Sequence, residues 1–207
     1  MKYYKYFLLS LAMIVLDQIV KLMVYFNMYK GEEISLIGDV FKIHYTTNPG
    51  MAFGMEIGGE YGKLFLTGFR LIAMVAIAWY LIKLAKKDTH PGLLWSIALI
   101  LGGAIGNVVD STFYGVFLPD NAIYKTEYPF FYPWFYGQVI DMFYFDICYC
   151  YVPEWVPVFG GQHHALWPIF NIADASIFLG VSIILLKQKK FFKENEEEKR
   201  EEPSAAK

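Results

Sequence analysis

Two pairs of residues, Asn107 with Asp110 and Asn171 with Asp174, set an amide and a carboxylate three positions apart beside long apolar runs. The i, i+3 spacing puts both members of a pair on one helix face, so two amide and carboxylate faces can converge. A third carboxylate, Asp141, lies in GQVIDMFYF between apolar neighbours and reads as part of a loop. Such groups are costly in apolar surroundings, so each needs a partner or a function. The chemistry open to them is general acid–base catalysis. Two carboxylates close together cannot both ionise cheaply, so the pair shares a proton and one acts as base while the other acts as acid. Asp17 and Lys21, at i, i+4, read as a mutually neutralising anchor.

Other chemistries have less support. His163 and His164 are adjacent, with no HExxH and no third ligand at metal spacing, so a zinc site is not expected. No GxSxG, Walker A or GxGxxG motif occurs, which leaves serine hydrolysis and nucleotide chemistry without a basis. The net charge of −2 gives no basic field for nucleic acid. The only cysteines, Cys148 and Cys150, stand two apart, a spacing that suits packing better than an unstrained bridge.

The elements that must position these groups are membrane helices. Hydrophobic residues make up 56% of the 207-residue chain and charged residues only 18%, with a mean hydropathy of +0.34. A soluble domain is about 45–50% apolar. Crossing about 30 Å of hydrocarbon takes about 20 apolar residues, and four segments qualify, at about 6–26, 64–82, 92–109 and 166–186. Lysines cluster at Lys2 and Lys5, at Lys83, Lys86 and Lys87, and at Lys187, Lys189, Lys190 and Lys193, which puts both termini in the cytoplasm. The loops at about 27–62 and 111–165 then face outward. In the first, residues 34–45 alternate around a Gly38-Asp39 turn signal and predict a β-hairpin. The second is long enough to be a lid. The charged segment 194–207 is expected to be disordered. The fold class is therefore an all-α polytopic membrane protein. It has four transmembrane helices, a small extracytoplasmic β-hairpin and a long extracytoplasmic lid loop, with residues 1–193 as a single domain.

Five blocks in order carry a family resemblance: LDQIVK with Asp17 and Lys21, NPGMAFG with Asn48, GGAIGNVVD with Asn107 and Asp110, VIDM with Asp141, and FNIADASI with Asn171 and Asp174. The chain resembles the lipoprotein signal peptidases, or signal peptidase II, which are membrane aspartyl proteases of bacteria. The resemblance implies cleavage of diacylglyceryl-modified prolipoproteins before the lipidated cysteine, with Asp141 and Asp174 catalytic and no cofactor or metal. It implies that Asn48, Asn107, Asp110 and Asn171 line the site and that Asp17 and Lys21 support it. It further implies a monomer in the bacterial cytoplasmic (inner) membrane, contacting lipid, with its active site at the outer face. One departure stands out. Where the family continues GNxxD with arginine, this chain has Ser111, and Arg70 is expected to supply the missing charge. The runner-up reading, a transporter or proton channel, would need polar groups at both membrane levels, and the inner halves offer little beyond Ser96 and Ser182.

Overall fold

The computed structural model describes residues 3–49, 59–87, 89–122, 133–147, 149–155, 161, 163–165 and 167–201. Its elements are α1 (Tyr4–Asn27), β1 (Glu33–Ile37), β2 (Phe41–Asn48), α2 (Gly59–Ala85), α3 (Pro91–Val109), a π-helical turn (Asp110–Tyr114), α4 (Gly115–Phe117), a 3-10 turn (Pro119–Asn121), β3 (Val139–Phe145), β4 (Tyr149–Tyr151), β5 (His163–Ala165) and α5 (Ile172–Glu201). Three stretches among them are helical, long and apolar enough to cross a membrane: Tyr4–Asn27, Gly62–Ala85 and Pro91–Phe117. Leu8, Leu11, Val15, Ile19 and Met23 on α1, and Phe65, Phe69, Ile72 and Val75 on α2, are exposed, as side chains that face lipid would be.

The helices differ from expectation in two places. The third does not stop at 109 but runs through the π-turn to Phe117, so its last turns take in residues expected in a loop. The segment expected to span at 166–186 is helical only from Ile172. With Asp174 in its first turn and Lys187 and Lys189 closing its apolar stretch, α5 is not one of the three spans. It continues to Glu201, into the segment from 194 expected to be disordered, because Glu, Lys and Arg are good helix formers.

The sheet is larger than the predicted hairpin. β1 and β2 pair antiparallel as expected, with Gly38 at φ +52° in the turn, a conformation glycine adopts at little cost. β3 adds a third strand beside β2, so Asp141, read as a loop residue, is a strand residue. The sequence pattern hides this strand because Val139, Ile140, Asp141 and Met142 are all buried, and a strand covered on both faces loses its alternation. β4 and β5 form a second, unexpected antiparallel pair. Within it Cys150 is disulfide-bonded, which corrects the reading of it as a packing thiol.

The chain forms two compact units. One comprises residues 1–17, 68–108 and 172–207, and the other residues 18–67 and 109–171. The core of the first holds Tyr6, Leu81, Leu94, Ile97, Leu101 and Phe191. Its helices are joined by Ser10 Oγ donating to the Ala98 carbonyl at 2.8 Å and Ser176 Oγ donating to the Leu99 carbonyl at 2.8 Å, the small polar contacts typical of helices packed in lipid. The core of the second gathers Val24, Tyr45, Tyr114, Leu118, Ile140 and Met142.

Candidate functional site

In the first unit the candidate residues gather at the start of α5. Asp174 lies in that helix's first turn, where a carboxylate is favoured by the helix dipole. Asn107 Nδ2, on α3, donates to Asp174 Oδ1 at 2.8 Å, which is the convergence of amide and carboxylate faces that the spacing suggests. Asp17 accepts the backbone N–H of Ala173 on its Oδ1 at 2.9 Å, satisfying a helix-start donor from a different helix. The close approach depends on two glycines. A Cβ at Gly103 would lie 2.2 Å from the Ala173 carbonyl, and one at Gly106 would lie 2.7 Å from Asp17 Oδ2.

In the second unit Asp141 is buried on β3, and Asn171 Nδ2 donates to its Oδ1 at 2.6 Å. Asn171 is itself fully buried and also reaches the Ile140 carbonyl at 3.3 Å. The register sets Asp141 opposite Thr46 and Asn48 opposite Val139, so Asn48 and Asp141 are fixed by one ladder. Asp110 is held differently. Its Oδ2 lies 2.7 Å from Lys21 Nζ, both side chains having no exposure, and its Oδ1 accepts from Gln18 Nε2 at 2.8 Å. Tyr114 donates its hydroxyl to Gln18 Oε1 at 2.9 Å, which fixes the amide so that its NH2 faces the carboxylate.

Gln18, Tyr114 and Lys63 are polar members of this region that the sequence reading did not single out. Gln18 sits between Asp17 and Lys21 in the first block, and Tyr114 lies one turn past Asp110, so helical spacing could have found both. Lys63 carries no such signal. It is 1% exposed, and its Nζ donates to the Pro49 carbonyl at 2.7 Å and to Ser111 Oγ at 3.4 Å. A lysine from α2 thus lies beside Ser111 in this unit. Over the π-turn runs a backbone strap, with the N–H of Phe135 and of Gly137 donating to the carbonyls of Thr112 and Ser111. Phe135 takes φ +67° there, a conformation a bulky residue rarely adopts.

Two tyrosine and lysine environments on the sheet bear on acid–base chemistry. Burial pushes the Tyr45 phenol up to about 12, which removes it from proton transfer near neutrality. Lys42 Nζ donates to Asp146 Oδ2 at 2.7 Å, a bond that raises the lysine and lowers the carboxylate from their ordinary values. Residues 50–54 of the NPGMAFG block and 123–132 of the expected lid lie outside the described residues.

A family profile described as signal peptidase (SPase) II matches residues 9–190. The lipoprotein signal peptidase of Amoebophilus asiaticus (strain 5a2) is 46% identical over 191 residues, covering 91% of this chain and 79% of that one. The lipoprotein signal peptidase of Porphyromonas gingivalis is 37% identical over 191 residues, covering 86% and 80%. A bacterial membrane enzyme solved by the in meso method shares the fold, with a TM-score of 0.60 at 23% identity over 91% of each chain. Matched along most of its length by the profile and by these relatives, the chain belongs to the signal peptidase II family.

Proposed function

We propose that the chain removes signal peptides from diacylglyceryl-modified prolipoproteins, cutting before the lipidated cysteine, with Asp141 and Asp174 as its catalytic carboxylates. Membership of the family makes it a membrane protease that processes lipoproteins, and nothing in its relatives supports a transporter. The aspartyl mechanism is the finer reading. The observation that supports it is the matched pair of asparagine donors, Asn171 on Asp141 and Asn107 on Asp174. A neutral amide is compatible with either protonation state of the acid it touches, as proton transfer requires. Asp110 spends its oxygens on Lys21 and Gln18, which suits a brace.

The donors also select an oxygen. Each Oδ1 accepts from its asparagine, which favours Oδ2 as the oxygen that carries a proton. In the reaction one carboxylate takes a proton from the lytic water as it attacks the scissile carbonyl. The other hydrogen-bonds the carbonyl oxygen and then protonates the leaving amine. Asn48 holds substrate backbone, and Asp17 and Lys21 anchor the helices beneath. No metal or cofactor takes part in these steps.

In this reading the apolar first half of α5 is the fourth crossing. Both termini lie in the cytoplasm, and the acids meet water at the outer face of the bacterial inner membrane while the substrate's acyl chains stay in lipid. Residues 1–193 act as one protease domain, and a monomer suffices. The test is cleavage by the purified chain of a diacylated precursor and of its unlipidated counterpart. Only the first should be cut, and Asp141→Asn or Asp174→Asn should each lower turnover on the order of 10²-fold or more while the protein stays folded. Equal cleavage of both precursors would remove the lipid-dependent assignment. Near-normal turnover in either variant would exclude that aspartate.

A further inference from the structure

Lys63 is a fully buried cation that the mechanism above does not use. A lysine is rarely buried unless its ammonium is well hydrogen-bonded, and this one bridges two segments far apart in sequence. Its Nζ donates to the Pro49 carbonyl at 2.7 Å and to Ser111 Oγ at 3.4 Å. Pro49 follows Asn48 at the end of β2, and Ser111 follows Asp110 in the π-turn. One helical turn along the same face of α2, Thr67 is also fully buried and donates to the Phe135 carbonyl of the strap at 3.1 Å. The polar stripe of Lys63 and Thr67 therefore ties down the chain at 49, 111 and 135.

A serine beside a lysine can be a nucleophile and its base. Here both side chains are buried, at 0% and 1% exposure, and the lysine is engaged with a backbone carbonyl. The pair holds segments together and is not arranged to attack a peptide. We propose that Lys63 is a positioning residue of this protease, fixing the backbone at Pro49 so that Asn48 meets the substrate in register. Its ammonium also lies beside Ser111, a position that is not itself a cation in this chain. The proposal rests on the peptidase reading.

The experiment is steady-state cleavage of a diacylated precursor by Lys63→Gln, Lys63→Arg, Ser111→Ala and the double variant Lys63→Gln/Ser111→Lys. Loss of the ammonium from a substrate-positioning contact should raise KM about tenfold or more with kcat little changed, the scale of one charge-assisted hydrogen bond. Lys63→Arg should keep KM near that of the parent, and Ser111→Lys should recover much of the Lys63→Gln loss by supplying an ammonium from the other side. Ser111→Ala should lower kcat/KM less than about threefold, because the contact it removes is long, at 3.4 Å, and the ammonium keeps its 2.7 Å bond to the Pro49 carbonyl. Unchanged KM in Lys63→Gln, or a lower yield of active enzyme with KM unchanged, would reduce Lys63 to a structural residue and overturn the proposal. So would loss of turnover in Ser111→Ala, which would make the serine a nucleophile. If the parent chain cuts neither precursor, the peptidase reading itself fails. If the parent cuts only the lipidated one and Lys63→Gln keeps its KM, this proposal alone fails.

Discussion

Replacing Lys21 by Met tests the buried brace under Asp110. The two side chains have no exposure and their charges lie 2.7 Å apart, so the variant keeps the aliphatic volume of the lysine but leaves a buried carboxylate without its ammonium. Breaking a buried pair from one side costs about 3–5 kcal/mol. Gln18 still donates to Asp110 at 2.8 Å, which places the expected loss near about 3 kcal/mol. For a chain of this size each kcal/mol lowers Tm by about 2–4 °C, so thermal unfolding in detergent should fall by about 6–12 °C. Adding Asp110→Asn removes the stranded charge and should restore part of the loss, with a coupling of about 0.5–3 kcal/mol as for groups in one network. Losses that add to within about 0.5 kcal/mol would show that the two residues do not share the energy of one pair. A loss below about 1 kcal/mol from Lys21→Met alone would also refute the reasoning, since that is the worth of an exposed pair.

Three further outcomes follow from the same geometry. Gly137→Ala would set a Cβ 2.1 Å from the Asp110 carbonyl and 2.8 Å from the Gly115 nitrogen, and since both are backbone it should destabilise by about 1–3 kcal/mol or more; Gly68→Ala, with nothing within 4 Å, should instead stabilise α2 by up to about 1 kcal/mol. The Lys42 and Asp146 pair should support the sheet over a wide pH window. Asp146, lowered from 3.8 by Lys42, contributes above about pH 4 and loses its contribution as pH falls through its lowered value, whereas Lys42, raised from 10.5 by Asp146, contributes below about pH 10.5 and loses it above; the Tm difference between the parent and Lys42→Met should therefore be flat across neutral pH and vanish at both extremes. Finally, cleavage should survive chelators and yield to peptides bearing a hydroxyl in place of the scissile carbonyl, which should bind at least about 10²-fold more tightly than substrate; inactivation by chelator reversed by zinc would contradict the aspartyl mechanism.

The parts of this protein that read from sequence are those governed by local periodicity. The first three apolar runs are helices, the Gly38 turn joins a hairpin, and the i, i+3 spacing of Asn107 and Asn171 with their aspartates marks residues that bond across elements. What did not read was set by distant partners. Asp110 shares a helix face with Asn107 by spacing, yet its ammonium comes from Lys21 on α1 and its amide from Gln18. Lys63 carries no local signal, because nothing in its neighbours reveals the Pro49 carbonyl and Ser111 hydroxyl to which it donates. β3 escaped because burial on both faces erased its alternation, and the π-turn because five residues of altered winding leave no compositional mark.

The pairing of β2 with β3 changes phase once. Ile43 faces Phe143 and Thr46 faces Asp141, so β2 spends one residue more than β3 between these pairs. An extra residue in a two-residue repeat exchanges the faces of everything beyond it. One strand can then serve two environments. At its outer end Lys42 and His44 meet Asp146 and Glu33 near the surface, and past the bulge Thr46 and Asn48 run alongside the strand that bears Asp141. Chain length is consequently constrained here as strictly as side-chain identity. Deleting His44 or Tyr45, the residues between Ile43 and Thr46, would leave Asn48 itself unchanged and still turn it to the opposite face, a loss no point substitution at Asn48 could repair.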